Sequence, residues 1–457
     1  MANFAKPSAP RFSVEVYQNE FLPEGGREVN AIVTVTSTGG GTAGGRAAMA
    51  AAVRPAEQEI GTGPTRRSAA VVLMVDCSGS MDHPPDKLRG ARAATAAAVD
   101  VLRDGTEFAV VDGTHVAREV YPGGGRLAIA DQETKSLAKQ ALLRLRAGGG
   151  TAIGSWLRLA DRLLDTAGSS IRHGILLTDG RNEHETPQEL RAALDACAGR
   201  FTCDARGVGT DWEVKEVTGI ATALLGTADI VADPSGLEAD FRQMIEGAMD
   251  KAVADVALRL WTPVGAEITF VKQVAPSMVD LTGRRTPAGA RAGDYPTGSW
   301  GDESRDYHLS LRVPAAEVGQ EMLAARVSLI LPDPVGGAPV VLSRALVRAV
   351  WTKDVAASTA IHAQVAHYTG QAELAAAVQD GLKARKMGDF DGATAKLGRA
   401  VQLASVSGNE DTAKLLAKVV DVVDAPTGTV RLKAKVADAD EMTLETRSTK
   451  TVRVKKT

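Results

Sequence analysis

Short apolar runs alternate with amphipathic segments between residues 68 and 252, and this alternation predicts a layered α/β domain. Two runs, AAVVLMVD ending at Asp76 and HGILLTDG reaching Asp179, are apolar along most of their length and indicate strands buried on both faces. Segments with helical periodicity connect the runs, which favours a doubly wound, mainly parallel sheet of the Rossmann-like kind. In such a sheet a ligand binds beyond the carboxyl ends of the strands.

Strand periodicity continues on both sides of this domain. Residues 11–36 predict a β-hairpin that turns at residues 23–26, and alternating segments after Lys251 predict an antiparallel β-sandwich. Because a lone hairpin is marginally stable, we expect it to join the sandwich, with the α/β domain inserted between its parts. A Gly/Ala-rich stretch at residues 39–65 is expected to be a linker or loop.

Helical patterning returns from Ala356 to Val423 and predicts a C-terminal helical hairpin or small bundle. The stretch GLKARKMGDFDGATAKLGRAVQLA resembles one tetratricopeptide-type helix pair, but no second clear copy follows to make a solenoid. The predicted domains are a hairpin and linker at 1–67, the α/β domain at 68–252, the sandwich at 253–352, a helical region at 353–425 and a tail at 426–457.

The composition excludes several classes of protein. A formal net charge of −3 provides no global basic field for nucleic acid. The chain shows no signal-peptide pattern and no run of about 18 apolar residues, so we expect no membrane span. Three cysteines cannot all pair within one chain, and together these features favour a cytoplasmic location. Five basic residues among the last eleven favour a solvated tail over a contact with an acidic partner.

Side chains with oxygen atoms occupy three loops of the α/β domain. Asp76 and Asp179 end two strands that should be neighbours, so both carboxylates should point into one crevice, where Thr151 can arrive from a glycine-rich loop. Magnesium prefers about six oxygen ligands and retains water. We therefore expect Mg²⁺, with Mn²⁺ or Ca²⁺ as alternatives, to be bound by Asp76, Ser78, Ser80, Thr151 and Asp179. Helix capping would explain each loop alone, but it explains the three together less well.

The motifs DCSGS at 76–80, GGGTAIG at 148–154 and ILLTDGRNE at 175–183 resemble the metal-ion-dependent adhesion site of the von Willebrand factor A family. The resemblance covers about residues 68–251, and the flanking regions are similar to those of multidomain bacterial members. It implies a non-enzymatic protein that binds another protein through its metal. Three neutral hydroxyl ligands leave a cation poorly neutralised, so an Asp or Glu of the partner would complete the coordination.

Other functions fit the residues less well. A metal-dependent phosphohydrolase with an aspartyl-phosphate intermediate needs a second carboxylate at position 78, which is Ser. The glycine-rich loop lacks the Lys of a nucleotide-binding P-loop, so a role beside an ATPase would require another chain as the ATPase. Hydroxyls among basic residues at 445–451 leave open a Ser/Thr kinase or a phosphothreonine reader as partner.

Residues beside the motifs receive narrower expectations. Asn182, Glu183 and His184 follow the third loop and are expected to line the rim of the site. We expect His184 to be a bystander, because a loop histidine without clustered partners seldom binds metal. Cys77 should pack beneath its loop and not react.

Overall fold

The computed structural model describes residues 10–39, 69–84, 86–333 and 337–453. The described residues form two units, one of residues 69–254 and 298–301, the other of residues 10–39, 255–297 and 302–453. The Gly/Ala-rich stretch from residue 40 and the basic residues Lys455 and Lys456 lie outside the described residues. No helix within the described ranges combines the length and apolar character that crossing a membrane requires.

The predicted strands and helices occur in the predicted order, and the structure adds strands and helices that the periodicity did not indicate. The strands are β1 (Arg11–Gln18), β2 (Phe21–Leu22), β3 (Glu28–Thr38), β4 (Ala70–Asp76), β5 (Glu107–Gly113), β6 (Ala117–Tyr121), β7 (Ala128–Ile129), β8 (Arg172–Thr178), β9 (Thr202–Val208), β10 (Ala228–Val231), β11 (Val253–Trp261), β12 (Glu267–Ala275), β13 (Val279–Asp280), β14 (Thr286–Pro287), β15 (Ala292–Trp300), β16 (Glu303–Arg312), β17 (Glu321–Leu331), β18 (Val340–Trp351), β19 (Val420–Asp424) and β20 (Thr429–Leu432). The α-helices are α1 (Asp86–Val101), α2 (Gln132–Leu142), α3 (Ile153–Asp165), α4 (Pro187–Cys197), α5 (Val214–Ala223), α6 (Leu237–Met249), α7 (Val355–Thr359), α8 (Ala363–Lys386), α9 (Phe390–Ser407), α10 (Glu410–Val419) and α11 (Asp438–Arg447).

The first unit contains a sheet with the strand order β10-β9-β8-β4-β5-β6, and β7 pairs with β5. Neighbouring strands from β10 to β5 are parallel, and β6 and β7 are antiparallel to β5. From β4 the chain proceeds to β5 on one side and later to β8 on the other, so the strand order reverses between β4 and β8. These features confirm the predicted doubly wound sheet, in which a ligand is expected beyond the carboxyl ends of these two strands.

Both faces of the central strands are buried, as the continuous apolar runs predicted. Every residue of β4 is buried, and Val71, Leu73 and Val75 share a core cluster with buried alanines of α1. Small side chains at Ala91 and Ala94 let a helix lie close to the sheet. This packing holds α1 beside the end of β4, where the first motif loop begins.

The second unit contains a mainly antiparallel sandwich of two sheets with the orders β1-β3-β16-β12-β13 and β14-β15-β11-β17-β18-β2, in which the β18–β2 pair is parallel. Strand β3 pairs with β16 from Glu28 opposite Arg312 to Ser37 opposite Glu303, and β2 pairs with the end of β18. The N-terminal hairpin therefore joins the sandwich, and the α/β domain is inserted between β3 and β11. Both expectations are confirmed.

The C-terminal region is helical as predicted, but it is ordered further along the chain than the periodicity indicated. Residues 420–432 form the hairpin of β19 and β20, and α11 follows in the segment where the sequence predicted a tail. Val430 and Leu444 belong to one core cluster with residues of α9. Beyond α11, the amide of Thr451 donates to the carbonyl oxygen of Pro276 at 3.0 Å. These long-range contacts are not encoded in local periodicity, so the pattern could not reveal them.

Candidate metal centre

The three motif loops meet at the carboxyl ends of β4 and β8. Backbone hydrogen bonds tie the loops together, and each has a nitrogen–oxygen distance of 2.9 Å: Gly148 N to Cys77 O, Gly79 N to Gly149 O, and His184 N to Thr151 O. The positive φ of 77° at Gly149 permits the tight turn that brings the second loop over the first. The backbone therefore fixes the spacing of the motif side chains before any side chain interacts.

Asp76 is the last residue of β4, and its carboxylate is completely buried. Its Oδ1 accepts a hydrogen bond from the Ser78 amide at 2.8 Å, and its Oδ2 accepts one from the Thr178 hydroxyl at 2.6 Å. Burial raises the pKa of Asp76 to about 6, with a further rise from the charge of Asp179, and the hydrogen bonds from Ser78 and Thr178 partly oppose this. A nearby cation would stabilise the ionised form of Asp76.

Three hydroxyl groups face a common space beside Gly180. A methyl group built on Gly180 would lie 3.1 Å from Ser80 Oγ, 3.4 Å from Thr151 Oγ1 and 3.7 Å from Ser78 Oγ. The Ser80 hydroxyl donates to Asp179 Oδ1 at 2.7 Å, and Ser78 Oγ lies 2.9 Å from Ser80 Oγ. Because its proton points to Asp179, the Ser80 oxygen keeps lone pairs free for another ligand. The missing side chain of Gly180 leaves room for that ligand.

The residues at this space fit a hard divalent cation. The donor set consists of two carboxylates and three hydroxyls, all oxygen, which suits Mg²⁺, Mn²⁺ or Ca²⁺ and not a soft metal. In the described ranges no group of three or more His, Cys, Asp or Glu side chains is arranged to hold a metal ion. The structure thus brings Ser78, Ser80 and Thr151 to one space, joins Asp179 to it through Ser80, and places Asp76 at the adjoining strand end, bonded to the Ser78 amide. That these five residues bind a cation stays a prediction.

Lys87 is a component of the site that the sequence reasoning missed. Its ammonium donates to Asp179 Oδ2 at 2.7 Å and to Asp211 Oδ2 at 2.9 Å, and its side chain is 8% exposed. Burial opposes the charge, but hydrogen bonds and charges from Asp179 and Asp211 raise the pKa of Lys87 above its ordinary value. A lysine in the first turn of a helix opposes the helix dipole, and this local conflict was the available signal.

The rim differs from the expectation at one residue. Asn182 is buried and does not line the rim: its Oδ1 accepts from the Ile153 amide at 2.9 Å, at the start of α3. Glu185 Oε1 accepts from the Gly154 amide and from Asn182 Nδ2, at 2.6 and 2.7 Å. Asn182 and Glu185 therefore satisfy the free amides at the N-terminus of α3, which a sequence without helix boundaries does not reveal.

Glu183 and His184 are exposed at the rim, as expected. The Thr151 amide donates a hydrogen bond to His184 Nδ1 at 3.4 Å. The ring centroid of His184 lies 6.1 Å from that of His115. Cys77 is buried, and burial, followed by the charge of Asp112, raises the pKa of its thiol far above the ordinary value. A thiol in that state is unreactive, so Cys77 packs beneath the loop as predicted.

Comparisons with known proteins match the fold of this chain. The sequence profile described as von Willebrand factor type A domain matches residues 69–230, and the profile described as von Willebrand factor type A C-terminal domain matches residues 402–448. The solved structure of von Willebrand factor type A from Catenulispora acidiphila is 50% identical and has a TM-score of 0.88, and the match covers 98% of this chain and 99% of that chain.

Two more distant matches extend the comparison. The crystal structure of the ArnB paralog VWA2 from Sulfolobus acidocaldarius matches 96% of this chain and 98% of that chain, with 15% identity and a TM-score of 0.53, and shows a shared fold alone. The uncharacterized protein sll0103 of Synechocystis is 29% identical over 280 residues, which cover 59% of this chain. That alignment spans 63% of the Synechocystis protein, which is less than two thirds of its length.

Proposed function

The chain belongs to the von Willebrand factor type A family, and on that premise we propose that it is a non-enzymatic interaction protein that captures a partner's carboxylate through a divalent cation. The observation that carries the proposal is the convergence of three hydroxyls beside Gly180, one of which donates to Asp179, with the buried Asp76 carboxylate bonded to the amide of the same first loop. Asp76, Ser78, Ser80, Thr151 and Asp179 would hold the cation, for which Mg²⁺ is our first choice. When bound, the cation supplies an electrophilic centre for an Asp or Glu side chain of a protein partner.

The side chains of the chain itself perform the positioning. Asp76 holds the first loop through the Ser78 amide, and Asp179 orients the Ser80 hydroxyl. Both oxygens of Asp76 accept hydrogen bonds from protein groups, which suits an anchoring carboxylate better than a nucleophile. We therefore favour a binding role over a phosphohydrolase role.

Three further expectations concern a kinase or phosphothreonine reader, an ATPase complex and the cellular location. Thr446 and Ser448, in the segment considered for phosphorylation, are buried, so the structure gives a kinase or a phosphothreonine reader no support. A role beside an ATPase rests on no observation of this chain. Cys77, Cys197 and Cys203 are buried free thiols, and on that basis we propose a reducing, cytoplasmic location.

Thermal unfolding in Mg²⁺ and in EDTA tests the metal-binding proposal. At a Mg²⁺ concentration about 100 times Kd, mass action should stabilise the wild type by about 2.7 kcal/mol. Asp76→Ala should abolish the difference between Mg²⁺ and EDTA, whereas Asp82→Ala should retain it, because Asp82 is a 70% exposed acid in the same segment. Equal unfolding temperatures of the wild type in Mg²⁺ and EDTA would contradict the proposal.

A pull-down from native lysate tests the partner. We expect the wild-type chain to retain a partner protein in Mg²⁺ and to lose it in EDTA. The Asp76→Ala variant should retain that protein in neither condition. Mutating the acidic residues of the captured protein would then identify the carboxylate. Retention of the same proteins by wild type and Asp76→Ala would argue against capture through the metal.

A further inference from the structure

Lys87 places a positive charge inside the hydrogen-bonded network that joins the metal loops. The network runs from Ser78 Oγ to Ser80 Oγ, on to Asp179 Oδ1, and from Asp179 Oδ2 to the ammonium of Lys87. Asp179 is completely buried, and the Lys87 side chain is 8% exposed. The ammonium is thus a cation already present on one of the two carboxylates that would hold the metal.

The position of Lys87 is unfavourable unless it serves that carboxylate. It lies in the first turn of α1, where the helix dipole disfavours a cation. Burial of an ammonium also costs free energy unless the charge is paired. Its other partner, Asp211, is 67% exposed, so solvent screens most of that attraction. The pair with Asp179 is therefore the contact that compensates Lys87.

The buried charges around the loops determine the net charge of the site once a divalent cation is bound. The buried charges at the loops are Asp76 and Asp179, each with one negative charge, and Lys87 with one positive charge, and they sum to one net negative charge. Asp211 is outside this sum because it is 67% exposed and solvent screens its charge. A divalent cation would change the net charge to one positive. One incoming carboxylate would then neutralise the site. Without Lys87, the two aspartates alone would neutralise the cation, and an incoming anion would gain less.

We infer that Lys87 is a built-in counter-ion that weakens the binding of the cation alone and couples it to the binding of a carboxylate. This inference rests on the proposed function and adds its regulation. The coupling is reciprocal, so the cation must raise carboxylate affinity by the same factor as the carboxylate raises cation affinity. The chain would therefore retain the cation mainly in its complex with the partner.

Titration of the full chain with MnCl₂, followed by the electron paramagnetic resonance signal of free Mn²⁺, tests the inference. Sodium acetate supplies the carboxylate, and sodium chloride at equal ionic strength is the reference. In the wild type we expect acetate to tighten Mn²⁺ binding by about fivefold. In Lys87→Met we expect Mn²⁺ binding in chloride to be tighter by at least about tenfold, and the effect of acetate to fall below about twofold.

Two further variants control the experiment. Lys87→Gln keeps a hydrogen-bond donor without the charge and should behave as Lys87→Met does, and it serves if Lys87→Met does not unfold cooperatively. Asp211→Asn removes the exposed ion pair alone and should change Mn²⁺ affinity by less than about threefold.

The outcomes separate this inference from the proposed function. Acetate that leaves wild-type Mn²⁺ affinity unchanged, or Lys87 variants that bind Mn²⁺ no more tightly than the wild type, would overturn the role of Lys87 alone. Absence of Mn²⁺ binding by the wild type and by every variant, in both salts, would contradict the proposed function and the inference with it.

Discussion

Replacing Gly180 by alanine should close the space in which the three hydroxyls converge. The added methyl group would lie 3.1 Å from Ser80 Oγ and 3.4 Å from Thr151 Oγ1. The first distance is a few tenths of an ångström below ordinary contact, and a small shift of the serine hydroxyl relieves it. We therefore expect a cost of about 1 kcal/mol in the free energy of unfolding, at the low end for overpacking a core. A cation at the same place would meet the methyl carbon, so Mg²⁺ affinity should fall by at least about 100-fold, or about 2.7 kcal/mol.

Chemical denaturation in EDTA and calorimetric titration with Mg²⁺ measure the two effects separately. Gly148→Ala is the matched control, because the new methyl group has no atom within 4 Å and lies in the second metal loop. That variant should bind Mg²⁺ as the wild type does and should unfold within about 1 kcal/mol of it. Wild-type Mg²⁺ affinity in a folded Gly180→Ala protein would refute the assignment of the cation to this space.

Further predictions concern positions outside the cation space. Burial lowers the pKa of His308 to about 4, so the folded state binds fewer protons than the unfolded state between pH 6.5 and 4. Stability should therefore fall as the pH drops through this window, by about 2 kcal/mol at pH 5, and urea unfolding of His308→Gln should lack this component. Burial opposes ionisation of Asp204, but the charge and hydrogen bond of His173 outweigh it and the pKa is lowered. The stability that ionised Asp204 contributes is present above its ordinary pKa of 3.8 and is lost as the pH falls below that value. Asp204→Asn should therefore lower the free energy of unfolding by about 3 kcal/mol at pH 7 and show a weaker acid transition. Asn182→Ala should cost about 1 kcal/mol and weaken Mg²⁺ binding by displacing the second loop, whereas Glu183→Ala should change neither in the same denaturation and titration assays.

The fold was predictable from the sequence where burial of a strand or helix follows a regular pattern along consecutive residues. The β4 run is apolar at consecutive positions because both faces of the central strand are covered, and the hairpin near the N-terminus alternates because one face is exposed. Burial of this kind acts on neighbouring residues, so it appears directly as periodicity. The segment beyond residue 425 is short in each element, and its order comes from contacts with distant residues such as Pro276. Contacts with residues far away in the sequence produce no periodic pattern in the segment itself.

The sequence by itself determined the chemistry that this domain can offer: the aspartates at the ends of two buried runs, the serines after the first, and a threonine in a glycine-rich turn. Only the tertiary structure decided which other charged and polar side chains contact these residues. Lys87 and Asp179 are 92 positions apart, and the side chain of Asn182 turns away from the rim to cap a helix. Each contact exists because parallel strands bring the carboxyl ends of separated segments together. Sequence spacing therefore predicts the candidate ligands, and the tertiary structure determines which charged side chain lies beside them.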